Sequence, residues 1–94
     1  MAEYIARVEL HNGTYQDYET LHASMQRRGF ARTVVGSDNL KYQLPTATYI
    51  ARNSASTADE ACNAAIAAAK ETGRTHSLIV TDWNIARWSG LPKV

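Results

Sequence analysis

The sequence predicts an α+β domain whose elements follow the order strand, helix, strand, strand, helix, strand. Short segments that alternate apolar and polar residues are typical of half-buried strands. Two longer segments repeat apolar residues at helical spacing instead, and residues that favour turns and helix caps separate all these segments. The chain of 94 residues is long enough to bury the core of one such domain.

The first strand is predicted over residues 4–10, in which apolar and polar side chains alternate. A turn follows, and Thr14 with Asp17 resembles the capping box that begins a helix, with Asp in place of the preferred Glu or Gln. Apolar residues at helical spacing extend this helix over residues 15–28. Gly29 is the expected end of the helix.

A hairpin is predicted after the first helix. One strand covers residues 30–35, the turn covers residues 36–39, and the return strand covers residues 40–44 and 47–51. Pro45 has no N–H to donate to a neighbouring strand, so we expect it to lie at a bulge or an edge and to split the return strand.

The second helix is the clearest element of the sequence. A polar linker at residues 53–56 precedes it, and Thr57 with Glu60 forms the pattern of a capping box. An alanine-rich stripe continues to Lys70 and allows the helix to approach a sheet closely. The last strand is predicted over residues 76–81.

This element order is that of a ferredoxin-like β-α-β-β-α-β fold. Right-handed connections place both helices on one face of an antiparallel sheet. We expect the other face to be open, with Arg7, Glu9 and Arg32 projecting from it, and to offer a surface for a ligand, RNA or a second subunit.

Residues 1–94 are interpreted as a single ferredoxin-like domain, in which residues 82–94 form an aromatic C-terminal tail. Trp83 and Trp88 make this tail too apolar for a free end. It therefore either folds back onto the sheet or contacts a partner.

Composition excludes several classes of protein. No apolar run has the length of a membrane span, and residues 1–4 lack the pattern of a signal peptide, so a cytoplasmic protein without membrane contact is expected. Cys62 is the only cysteine and is interpreted as a small core residue rather than a nucleophile. The net charge of +1 means that any nucleic-acid binding must come from a local basic patch.

No motif names a reaction, because the sequence has no Walker A loop, no dinucleotide-binding glycines, no zinc-protease motif and no serine-hydrolase elbow. RNA cleavage without a metal requires a base, an acid and a cation, roles that His, Glu, Lys and Arg can fill. His22 borders the apolar stripe of the first helix, where it is either a packed structural residue or a catalytic or phosphate-binding one. His11 ends the first strand, as an exposed loop residue or a functional one.

The densest basic group is Arg27, Arg28, Arg32 and Lys41. This group can bind phosphates, although Arg27 and Arg28 also suit the negative end of the first helix. Tyr42 can stack on a base or pack across the hairpin.

The spacing of hydrophobic residues from the first strand to the start of the second helix forms a pattern. Its members are Tyr4–Glu9, Thr14–Tyr15, Leu21, Met25, Phe30, Gln43–Pro45 and Tyr49–Ala51. This set resembles the GhoS family, the endoribonuclease antitoxins of bacterial type V toxin-antitoxin systems. The resemblance implies a ferredoxin-like fold and a sequence-selective hydrolase that cleaves toxin mRNA without a metal or other cofactor. It also implies that His22 stands on the first helix where the family has a basic residue.

The expected function is therefore that of an RNA-binding endoribonuclease, an antitoxin whose partner is single-stranded RNA, the mRNA of its toxin. The catalytic candidates are His22, His11 and Arg28, and the RNA-binding candidates are Arg7, Arg27, Arg32, Lys41 and Tyr42. A homodimer through the sheet face or an edge strand is compatible with this function. The alternative is a non-enzymatic protein-binding or dimerisation module, phage- or plasmid-associated, that uses the open sheet face and the tryptophan-containing tail.

Overall fold

The computed structural model describes residues 3–52, 55–83 and 87–94. Across these ranges the elements are β1 (Glu3–Leu10), α1 (Tyr15–Arg27), β2 (Phe30–Ala31), β3 (Thr33–Val35), β4 (Lys41–Gln43), β5 (Thr48–Arg52), α2 (Ala58–Lys70) and β6 (His76–Asp82). The α+β class is confirmed. Three parts of the sequence predictions lie outside the described residues: positions 1 and 2 of the N-terminus, positions 53 and 54 of the linker, and positions 84–86 of the tail.

The described strands form two antiparallel sheets. The larger sheet has the order β2-β5-β1-β6, and Arg7 of β1 lies between Thr48 of β5 and Ile79 of β6. The smaller sheet is the β3–β4 hairpin, in which Val34 pairs with Tyr42. Strand β1 therefore lies inside the larger sheet, and β2 and β6 form its edges.

The observed element order differs from the predicted one because each of the two middle strands is divided. The predicted split at Pro45 is confirmed: the Thr48 N–H donates to the Pro45 carbonyl over 3.0 Å, and Ala47 has a φ of 59°, which ends the extended backbone. Arg32 separates β2 from β3, a division that the sequence pattern did not predict. The first half of each divided strand therefore belongs to a different sheet from the second half.

The start of α1 is fixed by the predicted capping box. The Asp17 N–H donates to the Thr14 hydroxyl over 3.2 Å, and the Thr14 N–H donates to the Asp17 carboxylate over 2.9 Å. The hydrogen bond from the Thr14 backbone, and then the Arg74 side chain that donates to the same carboxylate, hold the pKa of Asp17 below its usual value. At the other end Gly29 has a φ of 88°, a conformation that suits glycine and ends the helix.

Both helices pack on the same face of the larger sheet and share one hydrophobic core. Its buried members are Tyr4, Ala6, Val8, Leu10, Leu21, Met25, Phe30, Ala47, Tyr49, Ala51, Ala61, Ala65, Ala68 and Ala69. The four alanines of α2 in this set are fully buried, so the absence of larger side chains lets the helix lie close to β1 and β6.

The opposite face is covered at one end, which restricts the predicted open surface. Val34 and Leu44 of the hairpin region pack on Ile50, and Ile5 and Trp83 adjoin this second cluster. The physical reason is that Ile5 and Ile50 would otherwise present an apolar patch to water. The exposed part of this face lies around Arg7 and Glu9.

The tail folds back onto the hairpin. The Gln43 N–H donates to the Pro92 carbonyl over 2.8 Å, and the Val94 N–H donates to the Lys41 carbonyl over 3.0 Å. The Trp88 ring lies 5.7 Å from the ring of Tyr42. The described tail residues therefore fold back onto the chain itself, which is the first of the two predicted alternatives, a fold-back or a contact with a partner.

Candidate functional site

His22 lies where α1 faces the edge of the larger sheet. Its side chain is 14% exposed, and its Nδ1 is 2.6 Å from the hydroxyl of Tyr49, which is fully buried on β5. The two rings are tilted by 55° with their centres 5.8 Å apart. The imidazole is therefore fixed in orientation, with Nδ1 towards the core and Nε2 3.9 Å from the Glu19 carboxylate.

The surroundings of His22 favour the neutral imidazole. Burial lowers the pKa of His22 below its usual 6.5, the positive charge of Arg32 lowers this pKa further, and the Glu19 carboxylate opposes them. Burial also raises the pKa of the Tyr49 phenol, so that Tyr49 keeps its proton. At neutral pH the pair is thus an uncharged imidazole bonded to an uncharged phenol.

A small groove opens beside this pair. It has a volume of about 290 Å³ and is lined by His22, Gln26, Phe30, Ala31 and Arg32. Arg32 is exposed, and its guanidinium has no hydrogen bond or ion pair to any residue that the structure describes. A guanidinium that no described residue pairs with and a neutral histidine therefore share one concave surface.

The Tyr49 hydroxyl gives His22 two possible chemical roles. When the hydroxyl accepts a hydrogen bond from Nδ1–H, the Nε2 atom carries a lone pair and can act as a base. When the hydroxyl donates to Nδ1, Nε2–H becomes a donor to an anion. Both roles suit a phosphodiester held by Arg32. In the first, Nε2 is a base for a hydroxyl, and in the second, Nε2–H is a donor to a phosphate oxygen.

No protein-family model, curated protein or solved structure matches the chain. The resemblance to GhoS-like antitoxins therefore remains a prediction from the sequence. The contacts that each predicted site residue makes in this chain indicate its role.

The two arginines at the end of α1 form ion pairs with one carboxylate. Arg27 donates to one oxygen of the Glu71 carboxylate over 2.8 Å, and Arg28 donates to the other oxygen. Glu71 lies at the C-cap of α2, so this pairing joins the ends of the two helices. Arg27 and Arg28 thus have a structural role, and neither lines the groove of His22.

His11 and Arg7 lie in other surroundings. The two ring nitrogens of His11 lie 3.0 Å from the Thr75 hydroxyl and 2.9 Å from the Ser77 hydroxyl. Arg7 lines a separate, shallow groove of about 450 Å³, in which Glu9 supplies a negative charge beside it. The structure therefore does not bring His11 or Arg7 together with His22.

Lys41 and Tyr42 lie on the hairpin beside the tail. The Tyr42 hydroxyl donates to the Asp38 carboxylate over 2.6 Å, a bond that lowers the pKa of Asp38 and raises that of Tyr42. Together with its contact to Trp88, this bond favours the packing interpretation of Tyr42. Lys41 is exposed, and its ammonium forms no ion pair within the described ranges.

Two features that would point to other kinds of site are absent from the described residues. No helix there is long and apolar enough to cross a membrane. In the same part of the chain, no group of three or more His, Cys, Asp or Glu side chains could hold a metal ion.

Sequence reasoning missed two residues that determine how the candidates are used. Tyr49 lies 27 positions from His22 and was part of an apolar pattern, so nothing local marked it as the partner of the histidine. Glu71 lies beyond the last residue of α2 and was not weighed as a partner of Arg27 and Arg28. Both contacts depend on how separate elements pack.

Proposed function

We propose that the chain binds single-stranded RNA at the groove of His22 and Arg32 and cleaves it without a metal. The observation that carries this proposal is that a neutral, oriented imidazole and a guanidinium with no partner among the described residues line one groove. Arg32 holds the phosphate as a bidentate donor. His22, kept neutral at pH 7 by burial and by Arg32, takes a proton from the adjacent ribose 2′-hydroxyl.

The proposed step is a transesterification. The 2′-oxygen loses its proton to Nε2 of His22 and forms a bond to phosphorus, while the bond from phosphorus to the 5′-oxygen breaks. The leaving 5′-oxygen takes a proton from water, and the imidazolium of His22 returns its proton to the hydroxide so formed, which gives a 2′,3′-cyclic phosphate, a 5′-hydroxyl and a neutral His22. The Tyr49 oxygen accepts the Nδ1–H hydrogen bond of the imidazolium, and Arg32 stabilises the extra charge on the phosphorane.

The same proposal includes the finer interpretations of the sequence. Joining β2 with β3 and β4 with β5 restores the β-α-β-β-α-β order, so we interpret the fold as a ferredoxin-like one with a divided hairpin. A GhoS-like antitoxin acting on toxin mRNA in the bacterial cytoplasm is the biological role that fits this activity. Lys41 and Arg7, exposed and without ion pairs among the described residues, would add weaker contacts to the RNA backbone.

The test uses the full chain, stripped of metals, with a labelled single-stranded RNA pool in the presence of a chelator. Wild type is compared with His22→Gln and Arg32→Ala, and cleavage and binding are read separately by gel and by fluorescence anisotropy. His11→Gln is the matched control, because it makes the same substitution at an exposed histidine that lies outside the groove. Circular dichroism verifies the fold of each variant.

Binding retained by His22→Gln without cleavage, together with weaker binding by Arg32→Ala and unchanged activity of His11→Gln, is the expected result. Cleavage that His22→Gln and wild type perform equally would contradict the role of His22. If wild type neither binds nor cleaves RNA, the non-enzymatic module becomes the better interpretation.

The non-enzymatic alternative needs a free aromatic surface at the C-terminus. The structure instead uses Trp83 in the cluster of Ile50 and Trp88 in a contact with Tyr42. The exposed fraction of Trp88 is 36%, so only part of its ring is available to a partner. This fold-back favours the RNA-binding proposal over a module that depends on the tail.

A further inference from the structure

The strand edges of the two sheets differ in their protection against pairing with another chain. Edge strand β2 pairs with β5 over two residues only, which is too short for a pairing template. The outer edge of β4 is covered by the tail through Pro92 and Val94. Strand β6 is seven residues long, lies at the edge of the larger sheet and contains no Lys, Arg or Pro to protect it.

The backbone of β6 presents hydrogen-bonding groups on its free side. The His11 N–H donates to the Thr75 carbonyl over 2.9 Å and the Trp83 N–H donates to the Glu3 carbonyl over 2.8 Å. Both pairs continue the β1–β6 register, so the odd-numbered residues of β6 bond to β1. The even-numbered residues of β6 are His76, Leu78, Val80 and Asp82. Their N–H and C=O groups point away from β1, and no described residue forms a hydrogen bond with these groups.

The sequence of β6 is complementary to itself when a second copy runs antiparallel about Ile79. The opposed residues are then His76 with Asp82, Ser77 with Thr81, Leu78 with Val80, and Ile79 with itself. Each pair opposes two apolar residues, two hydroxyl residues, or an imidazole and a carboxylate. Cross-strand pairs of these kinds stabilise sheets. Moving the axis by one residue opposes Leu78 to Asp82 or His76 to Val80, which leaves a polar group against an apolar one.

We propose that β6 is a homodimer interface, in which two copies of the chain pair antiparallel about a two-fold axis at Ile79. In this register the even-numbered residues form the hydrogen-bonded pairs, and these are the residues whose outward backbone groups have no partner among the described residues. The pairing also covers Ile79, whose exposed fraction of 65% is large for an apolar residue on a strand. The two larger sheets become one continuous sheet, with an isologous interface.

The proposal is independent of RNA binding and is tested without RNA. Sedimentation equilibrium of the full chain, at concentrations up to about 1 mM, should give twice the monomer mass of 10.4 kDa. Ile79→Lys places two ammonium groups against each other at the axis and should weaken dimerisation at least about tenfold. Val35→Lys is the matched control, because Val35 is 45% exposed on β3, away from β6. A monomer at every concentration, or equal effects of the two variants, would overturn the proposal.

Cysteine crosslinking tests the register separately, in a Cys62→Ala background. Ile79→Cys places two thiols at a pair without backbone hydrogen bonds, where the Cα atoms are about 4.5 Å apart, within the range that a disulfide spans. Thr81→Cys is the control: its two copies are four residues out of register, roughly 14 Å apart. Rapid crosslinking of Ile79→Cys alone is expected. Crosslinking of Thr81→Cys at the same rate, or of neither variant, would refute a dimer centred on Ile79.

Discussion

Replacing Tyr49 by Phe removes the hydroxyl that orients His22 and leaves the rest of the buried ring in place. Tyr49 is fully buried, and its hydroxyl is 2.6 Å from Nδ1 of His22. The change deletes one hydrogen bond and leaves a largely buried ring nitrogen without its partner, which costs about 1–3 kcal/mol. For a domain of this size, each kcal/mol lowers the melting temperature by roughly 4–8 °C.

The assay is urea unfolding followed by circular dichroism, with thermal unfolding as a second measurement. Tyr49→Phe should lower the urea midpoint without changing the slope, because the surface exposed on unfolding is the same. Tyr15→Phe is the matched control: Tyr15 is 80% exposed and its hydroxyl lies 3.4 Å from Glu19, so its removal should cost less than about 0.5 kcal/mol. Equal midpoints for the two variants would refute the reasoning that the His22–Tyr49 bond stabilises the fold.

Three further predictions concern pH, packing and charge. The pKa of His22, measured from its ring proton resonances by NMR, should lie below 6.5. Because the unfolded chain then binds the proton more tightly than the folded one, the free energy of unfolding should fall as the pH drops below about 6.5. A free energy of unfolding that stays constant through that range would contradict the argument that burial lowers this pKa. Leu21→Ala, at a fully buried position, should lose about 2–5 kcal/mol in urea unfolding, and a loss below about 1 kcal/mol would mean that the core is looser than described. Glu71→Gln removes the ion pairs of Arg27 and Arg28, which are partly exposed, so it should lower the free energy of unfolding by no more than about 1 kcal/mol. The same change should strengthen RNA binding at low salt. An unchanged affinity would show that these two arginines lie away from the RNA.

Local patterns predicted the elements of this fold well. The Thr14 capping box, the end of α1 just before Gly29 and the break at Pro45 each depend on residues close in sequence, and each is present in the structure. The division at Arg32 was not predictable, because it arises where the chain leaves the larger sheet to cover Ile50 with the hairpin. No residue near Arg32 in the sequence records that packing requirement.

The predictions about the site were less complete, since function depends on contacts between distant segments. The sequence identified His22 and Arg32 as candidates, but not the groove that they share or the bond from His22 to Tyr49. It grouped Arg27 and Arg28 with Arg32 as one basic cluster, because all three are close in the chain. Glu71, more than forty positions away, separates their roles.

The contrast between Arg28 and Arg32 shows which cation can serve a phosphate at the site. Arg28 is half-buried and paired with Glu71, and its Nε is buried without a partner among the described residues. A phosphate that recruited Arg28 would have to displace its charge-assisted hydrogen bond to Glu71 and leave the Glu71 carboxylate with one arginine instead of two. Arg32 needs no such displacement, because its exposed guanidinium has no partner in the described part of the chain. The groove of His22 can therefore take an anion without disturbing the contact between the helix ends.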